Sequence, residues 1–156
     1  MNEAISGQQK YENYKEQFTR LNRALTNGFN LEAIFIEYAI IEDRTESVLR
    51  HADMWDAYVN HRKGRDVTLD SKITYIRKLA ENKKSLLHKY FSDDLLDSII
   101  TWKNERNRLI HALLKQQLGH DEIAALAKAG KEIVNLLRNK SGSFNRAADK
   151  KKESVK

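Results

Sequence analysis

LEAIFIEYAIIEDRTESVLRHADMW, residues 31–55, decides what kind of fold this chain adopts. In its first half Leu31, Ala33, Ile34, Phe35, Ile36, Tyr38, Ala39, Ile40 and Ile41 leave only Glu32 and Glu37 polar. A helix that is apolar nearly all round has to be covered on every side by other elements. The stretch therefore predicts a central helix, capped by Asn30 and running to about residue 58.

Upstream of it, Tyr11, Tyr14, Phe18, Leu21 and Leu25 recur at helical spacing, and Asn27-Gly28 supplies a stop. Downstream, VNHRKGRD (residues 59–66) reads as a charged loop around Gly64. A third helix, capped by Asp70 or Ser71, would bury Ile73, Ile76 and Leu79; AENKKSLLHKYF (80–91) either continues it or breaks it near Asn82. Ser92, followed by Asp93 and Asp94, opens a fourth helix expected to reach Leu118, with Gly119 closing it. The fifth, from Asp121 to about Arg138, would bury Ile123, Leu126, Ile133 and Leu137. With no internal repeat and no strand-like alternation, the pattern predicts an all-α, antiparallel bundle of four or five helices over residues 1–138.

Composition agrees. None of the 156 residues is proline, which is unwelcome in helix interiors but common in loops and edge strands. The absence of cysteine excludes disulfides, thiolate zinc sites and cysteine nucleophiles. No apolar run approaches the ~18 residues of a membrane span, and the N-terminus is too polar for a secretory leader, so a cytoplasmic protein without membrane contact is expected. Of the net charge of +6, residues 139–156 (NKSGSFNRAADKKKESVK) hold six cations and two anions, leaving +2 for the rest. That segment is predicted to be a disordered basic tail. It is either simply solvated or an arm that attracts phosphate backbones.

The fourth helix carries the one chemical oddity. Leu95, Ile99, Trp102, Leu109 and Leu113 mark an apolar seam, and at position 106, where the seam calls for another apolar residue, stands Arg106. Burying an unpaired guanidinium costs several kcal/mol, so Arg106 must meet a carboxylate, snorkel outward or face a polar cleft. Asn107 and His111, four residues apart, share a face of the helix. Asn104, Arg108 and Lys115 flank them as candidate substrate-binding residues, and Arg106 could swing its head toward this strip. Glu37 either pairs with Arg106 as its anchor or turns toward a helix end. Glu42, Asp43 and Arg44 edge the cleft or form a solvated face. His51, His61, His88 and His120 show no spacing that suggests a metal site, and no glycine-rich phosphate loop is present. Neither a metal nor another cofactor is expected.

The string RNRLIH, Arg106 to His111, resembles the signature of the HEPN superfamily: an arginine, a polar residue, a short spacer and a histidine. Its place late in an all-α chain, on a long helix that follows a very apolar one, is similar to the HEPN arrangement. The resemblance implies a HEPN-type bundle and a metal-independent endoribonuclease. Such an enzyme is a homodimer whose fourth helices meet, leaving 2′,3′-cyclic phosphate and 5′-hydroxyl ends on RNA. Arg106, Asn107 and His111 would be its catalytic residues, in a microbial defence or toxin protein restrained by an antitoxin or other regulatory protein. The same resemblance also allows a non-catalytic module that binds RNA, a nucleotide or a protein partner. One departure stands out. Where nucleotidyltransferase-silenced HEPN toxins place a tyrosine two residues after the histidine, this chain has Leu113.

Overall fold

Helix α2 (Asn30–His51) is buried along much of its surface, with Ala33, Ile34, Glu37, Ile41, Val48 and Leu49 each at most 2% exposed. It is not covered on every side as expected: Leu31, Phe35 and Ala39 form an exposed stripe. The computed structural model describes residues 5–117 and 119–155. Around α2 these fold into α1 (Gly7–Thr26), α3 (Trp55–Arg62), α4 (Leu69–Ala80), α5 (Leu86–Tyr90), α6 (Asp93–Ala112) and α7 (His120–Glu153), with no strand among the described residues. The fold is an all-α bundle. No helix among those residues is long and apolar enough to cross a membrane.

Neighbouring hairpins run antiparallel. Lys10 pairs with Asp43 and Arg20 with Glu32 across α1 and α2, while Trp102 meets Leu126 and Arg108 meets Glu122 across α6 and α7. The two central helices differ. Glu37 faces Gly130, Asn145 donates to Ser47, and His51 bonds Asp149, so α2 and α7 lie side by side in the same direction. Helices α3 to α6 carry the chain back between them, which a hairpin could not do.

Several boundaries depart from expectation, each for a local reason. The second helix stops at His51 rather than near residue 58, because Asp53 takes a left-handed conformation (φ 55°) before α3 restarts at Trp55. Val59 to Arg62, expected as loop, complete α3, which Lys63 and Gly64 end at positive φ. Phe29 rather than Asn30 precedes α2, with no side-chain cap. Thr68 and Ser71 form a reciprocal capping box on α4, so the cap lies before Asp70. The chain does break near Asn82, and Ser85 caps the short α5. Helix α6 begins at Ser92 as expected but ends at Ala112; the predicted terminus, Leu118, lies outside the described residues. Gly119 precedes α7 instead of closing α6.

The largest correction concerns the basic segment. Residues 139–153 are not a disordered tail but the second half of α7, a 34-residue helix. Leu137, Ser141, Phe144 and Ala148, spaced 4, 3 and 4, are 1%, 0%, 2% and 6% exposed. Phe144 packs edge-on against Tyr90 and Phe91, with ring centroids 6.2 and 5.7 Å away. Two of the four seam positions are a serine and an alanine, so the amphipathic pattern carries little hydrophobicity although the helix is well buried.

Candidate functional site on helix α6

Trp102 and Leu109, the seam residues that bracket Arg106, are both 3% exposed, so the helix holds position 106 against its neighbours. Arg106 itself is half-buried and lies against α2. Its guanidinium carbon sits 4.1 Å from the centroid of the Tyr38 ring and 5.5 Å from that of Phe35. Nη1 donates to the side-chain oxygen of Asn107 at 3.1 Å, while Nε is buried without a partner. Stacking on two ring faces is what lets a cation occupy an apolar seam: each such contact contributes roughly 0.5–2 kcal/mol, more as water is excluded.

No carboxylate pairs with Arg106 among the described residues. The expected anchor, Glu37, is elsewhere: it is fully buried where α2 meets α7, and neither carboxylate oxygen has a hydrogen-bond partner. A Cβ on Gly130 would stand 2.7 Å from the Glu37 carboxyl carbon and 2.8 Å from Trp102 Cζ2, so only glycine leaves room for this side chain. Burial drives the Glu37 carboxyl up to about 9, with the Lys131 ammonium pulling the other way. Glu37 and Tyr38 are adjacent, hence about 100° apart around the helix. Tyr38 therefore meets α6 while Glu37 meets α7.

The structure brings Arg106 and Asn107 together but leaves His111 apart. His111 is exposed in the last turn of α6, about 7.5 Å further along the axis, with no hydrogen-bond partner among the described residues. Arg106 swings toward α2 and reaches Asn107, so the strip expected to gather guanidinium, amide and imidazole is only partly assembled in one chain. Asn104 is exposed on the same helix. Arg108, expected among the candidate substrate-binding residues, is paired with carboxylates. It donates to Glu105 through Nε and Nη2 and reaches Glu122 of α7 at 3.5 Å. Lys115 lies in the turn after α6, off the helical strip.

The sequence offered Glu42 as an edge of the cleft but gave no sign of the parts played by Phe35, Tyr38 and Lys72 across from Arg106. The Tyr38 hydroxyl donates to Glu42 Oε1 at 3.0 Å. Lys72 of α4, only 2% exposed, donates to the Glu42 backbone oxygen at 3.1 Å and also bonds its carboxylate. Desolvation raises the Tyr38 phenol, the nearby Glu42 carboxylate adds to this, and Arg106 opposes it. The hydroxyl thus stays protonated at neutral pH. Glu42 therefore belongs to this edge of the site, whereas Asp43 pairs with Lys10 and Arg44 beside α1. The aromatic character of Phe35 and Tyr38 was visible in the sequence, but the register that sets them against Arg106 was not. No family model matches this chain, and no curated protein or solved structure matches it either.

Proposed function

We propose that the chain is a HEPN-type, metal-independent endoribonuclease that works as a homodimer through α6. The observation that carries this reading is the state of Arg106. It is the motif arginine, it is held on the faces of Tyr38 and Phe35, and no carboxylate neutralises it among the described residues. A fixed guanidinium with free donors suits the extra negative charge that develops on phosphorus during cleavage.

In this reading His111 handles the protons. One imidazole takes the proton of the RNA 2′-hydroxyl as that oxygen attacks the adjacent phosphorus. The P–O5′ bond breaks, and the departing 5′-oxygen receives a proton from the imidazolium of the other copy. A 2′,3′-cyclic phosphate and a 5′-hydroxyl result. The separation of His111 from Arg106 within one chain favours a site completed by two subunits. Leu31 and Phe35, one turn apart on α2, are 39% and 59% exposed and would be covered by the partner. Asn107 keeps the guanidinium oriented, and Asn104 and Lys115 are left to contact the RNA. Such an enzyme fits a cytoplasmic defence or toxin role under an antitoxin or regulatory protein. With Leu113 in the acceptor position, nucleotidylation of a tyrosine there is not available to silence it.

The test is cleavage of RNA in EDTA, with end-group analysis, comparing wild type, His111→Ala and Arg106→Ala. We expect the histidine variant to lose about 10²-fold or more in rate. Equal rates in all three, or no cleavage by wild type, would remove the catalytic reading. That no group among the described residues orients His111 favours a second reading, a non-catalytic module of the same type. That reading predicts RNA, nucleotide or partner binding that Arg106→Ala weakens, without cleavage.

A further inference from the structure

A cleft of about 910 Å³ lies at the end of the bundle where α2, α4 and α7 terminate. Its apolar lining is mostly aliphatic, with Leu79, Leu86, Leu87, Ala148 and Val155 beside Phe144. Lys78, Lys84, Lys151 and Lys152 stand around it, and half of these cations come from the segment that the sequence had suggested was a tail. We propose that this cleft binds an acidic amphipathic helix of a partner protein, independently of the site on α6. Arg106 lies against residues 35–38, roughly 20 Å away along α2.

Lysines at helix ends have an ordinary explanation, since each C-terminus carries about half a negative charge that cations offset. Here the magnitudes decide against that explanation being complete. Three C-termini supply about −1.5. The lining residues carry four lysines and one aspartate, Asp53, for a formal +3. Asp149, which bonds the lining His51, brings this to +2, so about a quarter of the positive charge is left over. Lys152 is held by Asp53 at 2.9 Å, whereas Lys78, Lys84 and Lys151 have no carboxylate partner among the described residues.

The floor selects among anionic partners. Single-stranded nucleic acid adheres to exposed aromatic faces. Of the rings that line the cleft, Phe144 is 2% exposed and already packed by Tyr90 and Phe91, and the His51 imidazole is held by Asp149 at 2.9 Å. An aliphatic floor flanked by lysines is what a helix needs to seat its apolar residues at i, i+3, i+4 and i+7 with acidic residues on both sides. Charge complementarity of this kind sets specificity and association rate.

The test is a display library of four-turn peptides. Apolar residues are fixed at those positions, and the remainder vary among Glu, Asp, Lys, Arg, Gln and Ala. Selection on the full-length protein should enrich Glu and Asp. The affinity of enriched peptides should fall about tenfold or more in a Lys78→Glu/Lys84→Glu/Lys151→Glu variant. For the wild type itself it should fall as salt is raised. Helical circular dichroism checks that the variant, altered only at exposed positions, remains folded. Failure to enrich acidic peptides, or enriched peptides that bind the variant equally or ignore salt, would overturn the proposal. So would a lysine-dependent affinity confined to a mixed-sequence single-stranded RNA or to vesicles of acidic phospholipid.

Discussion

Replacing Glu37 by glutamine should stabilise the protein, and increasingly so as the pH rises. The carboxyl is fully buried, its oxygens are unpartnered, and its pKa stands near 9 against an ordinary value of 4.5. The folded state therefore holds the Glu37 proton more tightly than the unfolded chain does. Below about pH 4.5 both states are protonated and this group costs nothing. Between about 4.5 and 9 the unfolded state alone releases the proton, and stability falls by about 1.4 kcal/mol per pH unit. At pH 7 the loss is on the order of 3 kcal/mol, which glutamine, of the same shape but without the titration, would not suffer. For a chain of this size that corresponds to a melting temperature roughly 6–12 °C higher. Denaturant melts of both proteins at pH 5, 6, 7 and 8 measure it directly. The gap should be small at pH 5 and widen with each step. Parallel curves, or a glutamine variant less stable at pH 8, would refute the claim that an unpaired carboxyl is enclosed between α2 and α7.

Gly130→Ala should destabilise by about 1–3 kcal/mol even though alanine is the better helix former by about 1 kcal/mol, because its methyl group would collide with Glu37 and Trp102; calorimetry decides the sign. Phe144→Ala should cost about 3–5 kcal/mol by denaturant titration, as expected of a fully packed aromatic, whereas a residue in a disordered tail would cost nothing. Tyr38→Phe should lose about 1 kcal/mol with the Glu42 hydrogen bond, and Tyr38→Leu a further 0.5–1 kcal/mol with the ring beneath Arg106. Equal losses in the two variants would show that the guanidinium gains nothing from the ring. His111→Ala should leave stability within about 0.5 kcal/mol, since the side chain is exposed and without a partner among the described residues, so any loss of activity in that variant would be chemical.

Large apolar residues made much of the fold legible. The buried face of residues 31–41 and the seam Leu95-Ile99-Trp102-Leu109 were readable because bulky side chains do the burying there, and the turn at Asn27-Gly28 and the cap at Ser92 because those residue types favour such positions; that Leu31 and Phe35 stay exposed was not. The continuation of α7 was not, because Ser141 and Ala148 pack by being small. Nor was the break at Asp53, where an aspartate takes a backbone conformation its neighbours give no hint of. At the site, the sequence singled out Arg106 and Asn107 and raised the question of what compensates a cation in an apolar seam. The answer, two ring faces rather than Glu37, depends on the rotation of α2 about its own axis. A difference of one residue, about 100°, exchanges Tyr38 for Glu37, and single-helix periodicity does not fix that angle.

The parallel alignment of α2 with α7 bears on how the chain reaches its native state. Residues that meet across that pair, such as Ser47 and Asn145, are nearly a hundred positions apart, so the most apolar helix is synthesised long before its principal cover exists. Distant pairings of this kind slow folding and prolong the exposure of sticky surface. A nascent chain halted before α7 emerges would carry α2 with one flank bare, a natural substrate for chaperones. Completion of the last helix would then be the step that commits the molecule to its fold.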